Sequence, residues 1–94
     1  MDDILDEFKE YLQNRALKEY ADGTTTNYKS GIRTICKREN INTAKKLIGR
    51  IDEVEQKYGE TGSEVAFGKK NHNFYINAVR RFNEFVKSNK LGEK

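Results

Sequence analysis

Proline is absent from the 94 residues, so no ring blocks a helical backbone anywhere along the chain, which suits an all-helical protein. Cysteine is almost absent too. Cys36 is alone, which excludes an internal disulfide; it falls on an apolar helical face and reads as a small core residue. With a single histidine, His72, there are too few ligands for the usual four-coordinate zinc site. No apolar run approaches the ~20 residues of a membrane span. The start, Met1, Asp2, Asp3, lacks the basic-then-apolar pattern of a secretory signal, so a cytoplasmic location is expected. Apolar residues make up only 35% of the chain and mean hydropathy is -0.95. Its core must therefore be lean and must draw on the five tyrosines and five phenylalanines, each of which buries a large area.

Recognisable catalytic chemistry is missing as well. His72 lies in a hydrophilic run and Cys36 on an inward face, so neither is placed as half of a base–nucleophile pair. Gly68, Lys69 and Lys70 are a glycine and two cations, without the spacing or the preceding strand of a phosphate-binding loop. Asp2, Asp3, Asp6 and Glu7 cluster where a first helix begins; a helix dipole favours anions there, and that explains them better than a metal site. No cofactor is expected, and no enzyme acting alone.

What is present is a segregated charge. The net charge of +3 conceals alternating blocks: -4 over 1–22, +6 over 23–50, -4 over 51–68 and +5 over 69–94. Separated basic patches above an aromatic core are a footprint of nucleic-acid binding.

Ninety-four residues suit one domain, and periodicity divides it into four helices near 3–19, 25–39, 43–58 and 70–89. The first has an apolar stripe of Ile4, Leu5, Phe8, Tyr11, Leu12 and Ala16. Thr24, Thr25 and Thr26 announce the second, one of them as its N-cap; Tyr28, Ile32, Ile35 and Cys36 form its buried face. Lys29, Arg33 and Lys37, four residues apart, make one basic stripe. Gly31 inside this helix suggests a close helix crossing. The third helix, capped by Asn42 or Thr43, turns Ala44, Leu47, Ile48, Ile51, Val54 and Tyr58 inward and pairs Glu53 with Lys57 outward; Lys45, Lys46 and Arg50 remain within reach of a phosphate. A glycine-marked irregular stretch from Gly59 to Gly68 follows, pinned by Val65 and Phe67. The last helix has Tyr75, Ala78, Val79, Phe82, Phe85 and Val86 on one face and Lys70, Asn73, Asn77, Arg80, Arg81 and Lys87 on the other.

These residues resemble a family. Thr24, Tyr28, Ile32 and Ile35 are similar to the Thr-x-x-x-Tyr-x-x-x-Ile opening of the core-binding domain of tyrosine recombinases of the phage-integrase type. Where the family often has a serine three residues before the threonine, this chain has Ala21. Phe8, Tyr11 and Leu12 are similar to the family's first-helix signature. Lys70, Asn71, His72, Tyr75, Ala78, Phe82 and Phe85 resemble its last helix. The resemblance implies a four-to-five-helix SAM-like bundle, 1–94, that holds one side of duplex DNA and carries no catalysis of its own. It also implies a separate C-terminal catalytic domain in the same polypeptide, with the linker beginning near Lys90, and further recombinase protomers on DNA as partners. Expected DNA contacts are Thr24, Thr25, Thr26, Asn27, Lys29, Arg33, Lys37, Lys69, Lys70, Asn71, His72, Asn73, Asn77, Arg80 and Arg81. A helical protein-interaction module without DNA binding is the alternative.

Overall fold

The computed structural model describes residues 3–14 and 22–88. Within them the backbone forms six helices and no strand: α1 (Asp3–Asn14), α2 (Asp22–Arg38), α3 (Ala44–Ile48), α4 (Ile51–Tyr58), α5 (Val65–Gly68) and α6 (Lys70–Ser88). No helix among the described residues is long and apolar enough to cross a membrane. Residues 15–21, with Ala16 and the expected end of the first helix, and residues 89–94 lie outside the described residues.

The three-and-four spacing of apolar residues is what builds the core. On α1, Leu5, Phe8, Tyr11 and Leu12 are buried; on α2, Ile32, Ile35 and Cys36; on α6, Ala78, Val79, Phe82, Phe85 and Val86, joined by Ile76. Phe8 meets the Phe82 ring edge-on at 5.1 Å and 82°, and both rings lie within 6 Å of Phe85. Tyr11 reaches Phe85 at 5.6 Å, so four rings join α1 to α6. Helix α6 also lies against α2, α4 and α5, while α3 packs on α1 and α2.

Four expectations are corrected. Helix α2 is already helical at Asp22, so Thr24, Thr25 and Thr26 lie inside its first turns rather than before them. Thr25 is fully buried, because it stands three and seven residues before Tyr28 and Ile32 on the same face. The single third helix is two, α3 and α4. Gly49 gives the helix little propensity, and Arg50 leaves helical geometry at φ -121°, ψ 11°, where its guanidinium reaches Glu39 and Glu53. Consequently Glu53 pairs with Arg50 and Lys57 with Glu39, not with each other. Part of the Gly59–Gly68 stretch is the one-turn helix α5, from which Phe67 packs on Tyr75 at 4.4 Å.

Other signals hold. Thr43 caps α3, its hydroxyl accepting from the Lys46 N–H at 3.3 Å. Asn40 ends α2 with φ 58°, a left-handed conformation that asparagine tolerates. The Ile41 N–H then reaches the Cys36 carbonyl and the Asn40 N–H that of Lys37, the paired bonds of a Schellman close. Gly31 sits where α6 crosses α2: a Cβ there would stand 3.0 Å from the Phe74 ring and 3.3 Å from Ala78. At Gly68 a Cβ would fall 2.2 Å from the Tyr58 carbonyl oxygen, a backbone atom that cannot swing aside.

Phe82→Ala is expected to cost about 3–5 kcal/mol from lost transfer energy and the cavity left behind, read from urea denaturation; an unchanged midpoint would mean the wrong face of α6 is buried. Gly68→Ala should cost about 1–3 kcal/mol through overpacking, and Gly31→Ala less, since a ring edge can give and alanine favours the helix by about 1 kcal/mol. The reverse order in a melting experiment would contradict the packing described.

Candidate nucleic-acid interface

A cation that is already paired inside the protein is poorly available to a polyanion, so the first question is which cations have partners. Lys29 bonds Asp6 of α1 with its own side chain only 18% exposed. Arg38 reaches Glu64 and the Tyr58 hydroxyl and lies over the Phe67 ring at 3.8 Å. Arg50 and Lys57 converge on Glu39, whose side chain is 4% exposed. Arg81 pairs with Glu84, and Lys87 with Asp52. By contrast, no ion pair among the described residues engages Arg33, Lys37, Lys45, Lys46, Lys69, Lys70 or Arg80, all exposed; Lys70 has only the Phe67 ring, 5.3 Å from its ammonium.

The expected contacts therefore separate. Arg33 and Lys37 line a groove of about 400 Å³ between α2 and α3, floored by Leu5, Cys36, Ile41 and Ala44 and edged by Asn42 and Thr43, with no acid in its wall. Lys45 and Lys46 are exposed on α3, which closes that groove. Arg80 and Arg81 line a different groove, between α4 and α6, beside Asp52, Glu55 and Glu84. Its mixed charge is a poor match for a polyanion. Lys69 and Asn73 edge a third depression with Arg80. Thus the cations of α2 and α6 do not share one surface groove, because α6 turns Arg80 toward acidic α4 while α2 turns Arg33 and Lys37 toward α3.

The remaining expected contacts sort by exposure. Thr24, Thr26 and Asn27 are exposed, and Asn77 is half-buried. Buried Thr25 has no surface to offer, and Lys29 is withdrawn from its stripe by Asp6. The side chains of Asn71 and His72 lie outside the described residues. Helix α6 does not begin from an open loop: α5 leads into it, with the Lys69 N–H on the Val65 carbonyl and the Asn73 N–H on that of Lys69. Asn73, within the first turn of α6, is left-handed at φ 66°. Sequence reasoning passed over Asn42 and Thr43 as groove residues, having read them only as caps. It also passed over Phe74, which stands one position off the apolar stripe and is only half-buried; that offset was the available signal.

Glu39 holds the neutralised half of the surface together. Its carboxylate accepts from Lys57 Nζ at 2.9 Å, from Arg50 at 3.2 Å and from the Tyr58 hydroxyl at 2.8 Å. Burial raises its pKa, but the bonds from Lys57 and Tyr58 and the charges of Lys57 and Arg50 outweigh that, leaving it below the ordinary value. The Tyr58 phenol is pushed up to about 12, chiefly by burial. A carboxyl depressed in the folded state stabilises above its unfolded pKa and loses that contribution as pH falls through the folded value. Glu39→Gln should accordingly cost about 1–3 kcal/mol near pH 7, the worth of hydrogen bonds to a charged group. The gap to wild type should close as the pH drops below about 4, the ordinary glutamate range. Denaturation of both proteins across pH 3–7 measures it, and a gap independent of pH would remove the carboxylate from that role.

Scans against protein-family models, curated protein sequences and solved structures match nothing to this chain.

Proposed function

We propose that this protein is a non-catalytic domain that binds duplex DNA electrostatically, with α2 and α3 as the contacting edge. The observation that carries the reading is the sorting of cations. Most of those near acids are paired internally, while Arg33, Lys37, Lys45 and Lys46 stay exposed around an acid-free groove, with no ion pair among the described residues. Such cations displace condensed counterions when they meet phosphates. Asn42 and Thr43 at the rim supply neutral hydrogen-bonding groups of the kind that fix a backbone in register.

The resemblance to the core-binding domain of tyrosine recombinases is consistent with this. Ile32 and Ile35 are buried and Tyr28 packs on the core, while Ala78, Phe82 and Phe85 are buried on α6, so the motif residues have a structural reason for their spacing. On this reading a separate catalytic domain of the same polypeptide carries strand exchange and further protomers share the DNA. Binding by this domain alone is weak and largely indifferent to sequence. The runner-up, a helical module that binds protein, draws on the mixed-charge α4–α6 groove with Asp52, Glu55, Arg80 and Arg81.

With about four phosphates neutralised, log affinity for a labelled duplex should fall against log salt with a slope of about -3 to -4. Arg33→Gln/Lys37→Gln should flatten the slope by about two, whereas Arg80→Gln/Lys87→Gln, with the same change in net charge, should leave it nearly unaltered. Equal loss in both double variants would reduce binding to bulk charge. Absence of duplex binding by the wild type at low salt would put the protein-interaction reading first.

A further inference from the structure

A fourth groove, of about 350 Å³, runs between α2 and the first half of α6 and is lined by Asn27, Ser30, Gly31, Thr34, Phe74 and Tyr75. It contains no charged residue. Its aromatic part is Phe74, half-buried, stacked on Tyr28 at 5.7 Å and 22° and T-shaped to Tyr75 at 5.0 Å. Gly31, without a side chain, lets the Phe74 ring lie close against α2: a Cβ there would stand 3.0 Å from it. The α2 side supplies an exposed amide and two hydroxyls. The Thr34 hydroxyl donates to the Ser30 carbonyl at 3.2 Å. Asn27 offers both a donor and an acceptor.

A neutral slot with an aromatic platform and an amide-and-hydroxyl edge matches a flat, uncharged, hydrogen-bonding ring. Its placement narrows the choice. Ser30, Arg33, Thr34 and Lys37 succeed one another at three- and four-residue spacing on one face of α2, so the slot adjoins the unpaired cations. A nucleotide has this same division, a neutral base beside an anionic phosphate. We infer that the α2–α6 groove receives an unpaired nucleobase while Arg33 and Lys37 hold the adjacent phosphates. The site thereby favours DNA with a bulged, frayed or single-stranded base over fully paired duplex. This rests on the DNA-binding reading above and deepens it, since duplex charge alone does not require a stacking platform.

The experiment compares a fully paired duplex, the same duplex with one bulged 2-aminopurine, and a single strand carrying 2-aminopurine. The chain has no tryptophan, so the probe is excited with little protein background. Wild type should bind the bulged and single-stranded DNA about 10-fold tighter than the paired duplex and quench the probe, as base–aromatic stacking contributes at that level. Phe74→Leu retains apolar volume but removes the π face; it should abolish the preference and the quenching while leaving paired-duplex binding within about 2-fold. Asn27→Ala, on an exposed position, should reduce the preference with the fold intact and decides the matter if Phe74→Leu unfolds. Equal affinity for paired and unpaired DNA, or a preference that survives both substitutions, overturns the inference and leaves duplex binding standing. Phe74-dependent self-association by sedimentation, with no quenching, also overturns it by assigning the groove to a second copy. Loss of paired-duplex binding alone would instead strike the duplex reading and leave the base slot in place.

Discussion

The contact between the Phe8 and Phe82 rings, with Tyr11 and Phe85 around it, is the interaction on which the rest of the molecule depends. In a chain with so little apolar material, burial of a few large rings supplies much of the driving force for folding. This cluster closes α1 on α6. Once it forms, α6 presents its other flanks to α2 and α4, and the close crossing at Gly31 becomes available. The α2–α6 groove is a by-product of that crossing, since two helices in contact leave a furrow beside them.

A lean core leaves many charged residues to be accommodated, and this protein accommodates them unevenly. Glu39 gathers Arg50, Lys57 and the Tyr58 hydroxyl at the end of α2, while Arg38 is held by Glu64 and the Phe67 ring. These contacts fasten α4 and α5 to α2. They also use up cations in the process, so the surface near α4 and α5 is balanced and the α2–α3 edge is not. Stability and surface potential thus arise from one distribution of charge: cations that fasten the fold are neutralised by it, and Arg33 and Lys37 stay exposed on the α2–α3 edge.

The candidate site was legible in part. Arg33 and Lys37 stand out from their four-residue spacing opposite Ile32 and Ile35, and the structure leaves both exposed. Lys29 has the same spacing and yet is tied to Asp6, twenty-three positions away, a partner that no local pattern reveals. Thr25 reads as a cap because threonine favours helix starts, but α2 begins earlier and buries it. Phe74 was overlooked because it falls beside the stripe that defines the core, and only a neighbouring helix gives an off-stripe ring a groove to line.

By itself the sequence determined that the protein is all-helical, most of the residues of α1, α2 and α6 that face inward, the end of α2 and the start of α3, and that basic and acidic segments alternate. Those properties are local, set by helical periodicity, backbone preferences at turns and composition. Only the tertiary structure decided which cations are neutralised, that the basic residues of α2 and α6 open onto different grooves, and that Phe74 meets Asn27, Ser30 and Thr34 across Gly31. These depend on how helices distant in sequence are rotated about their axes when they pack, and a rotation of one side chain's width exchanges a salt bridge for an exposed charge.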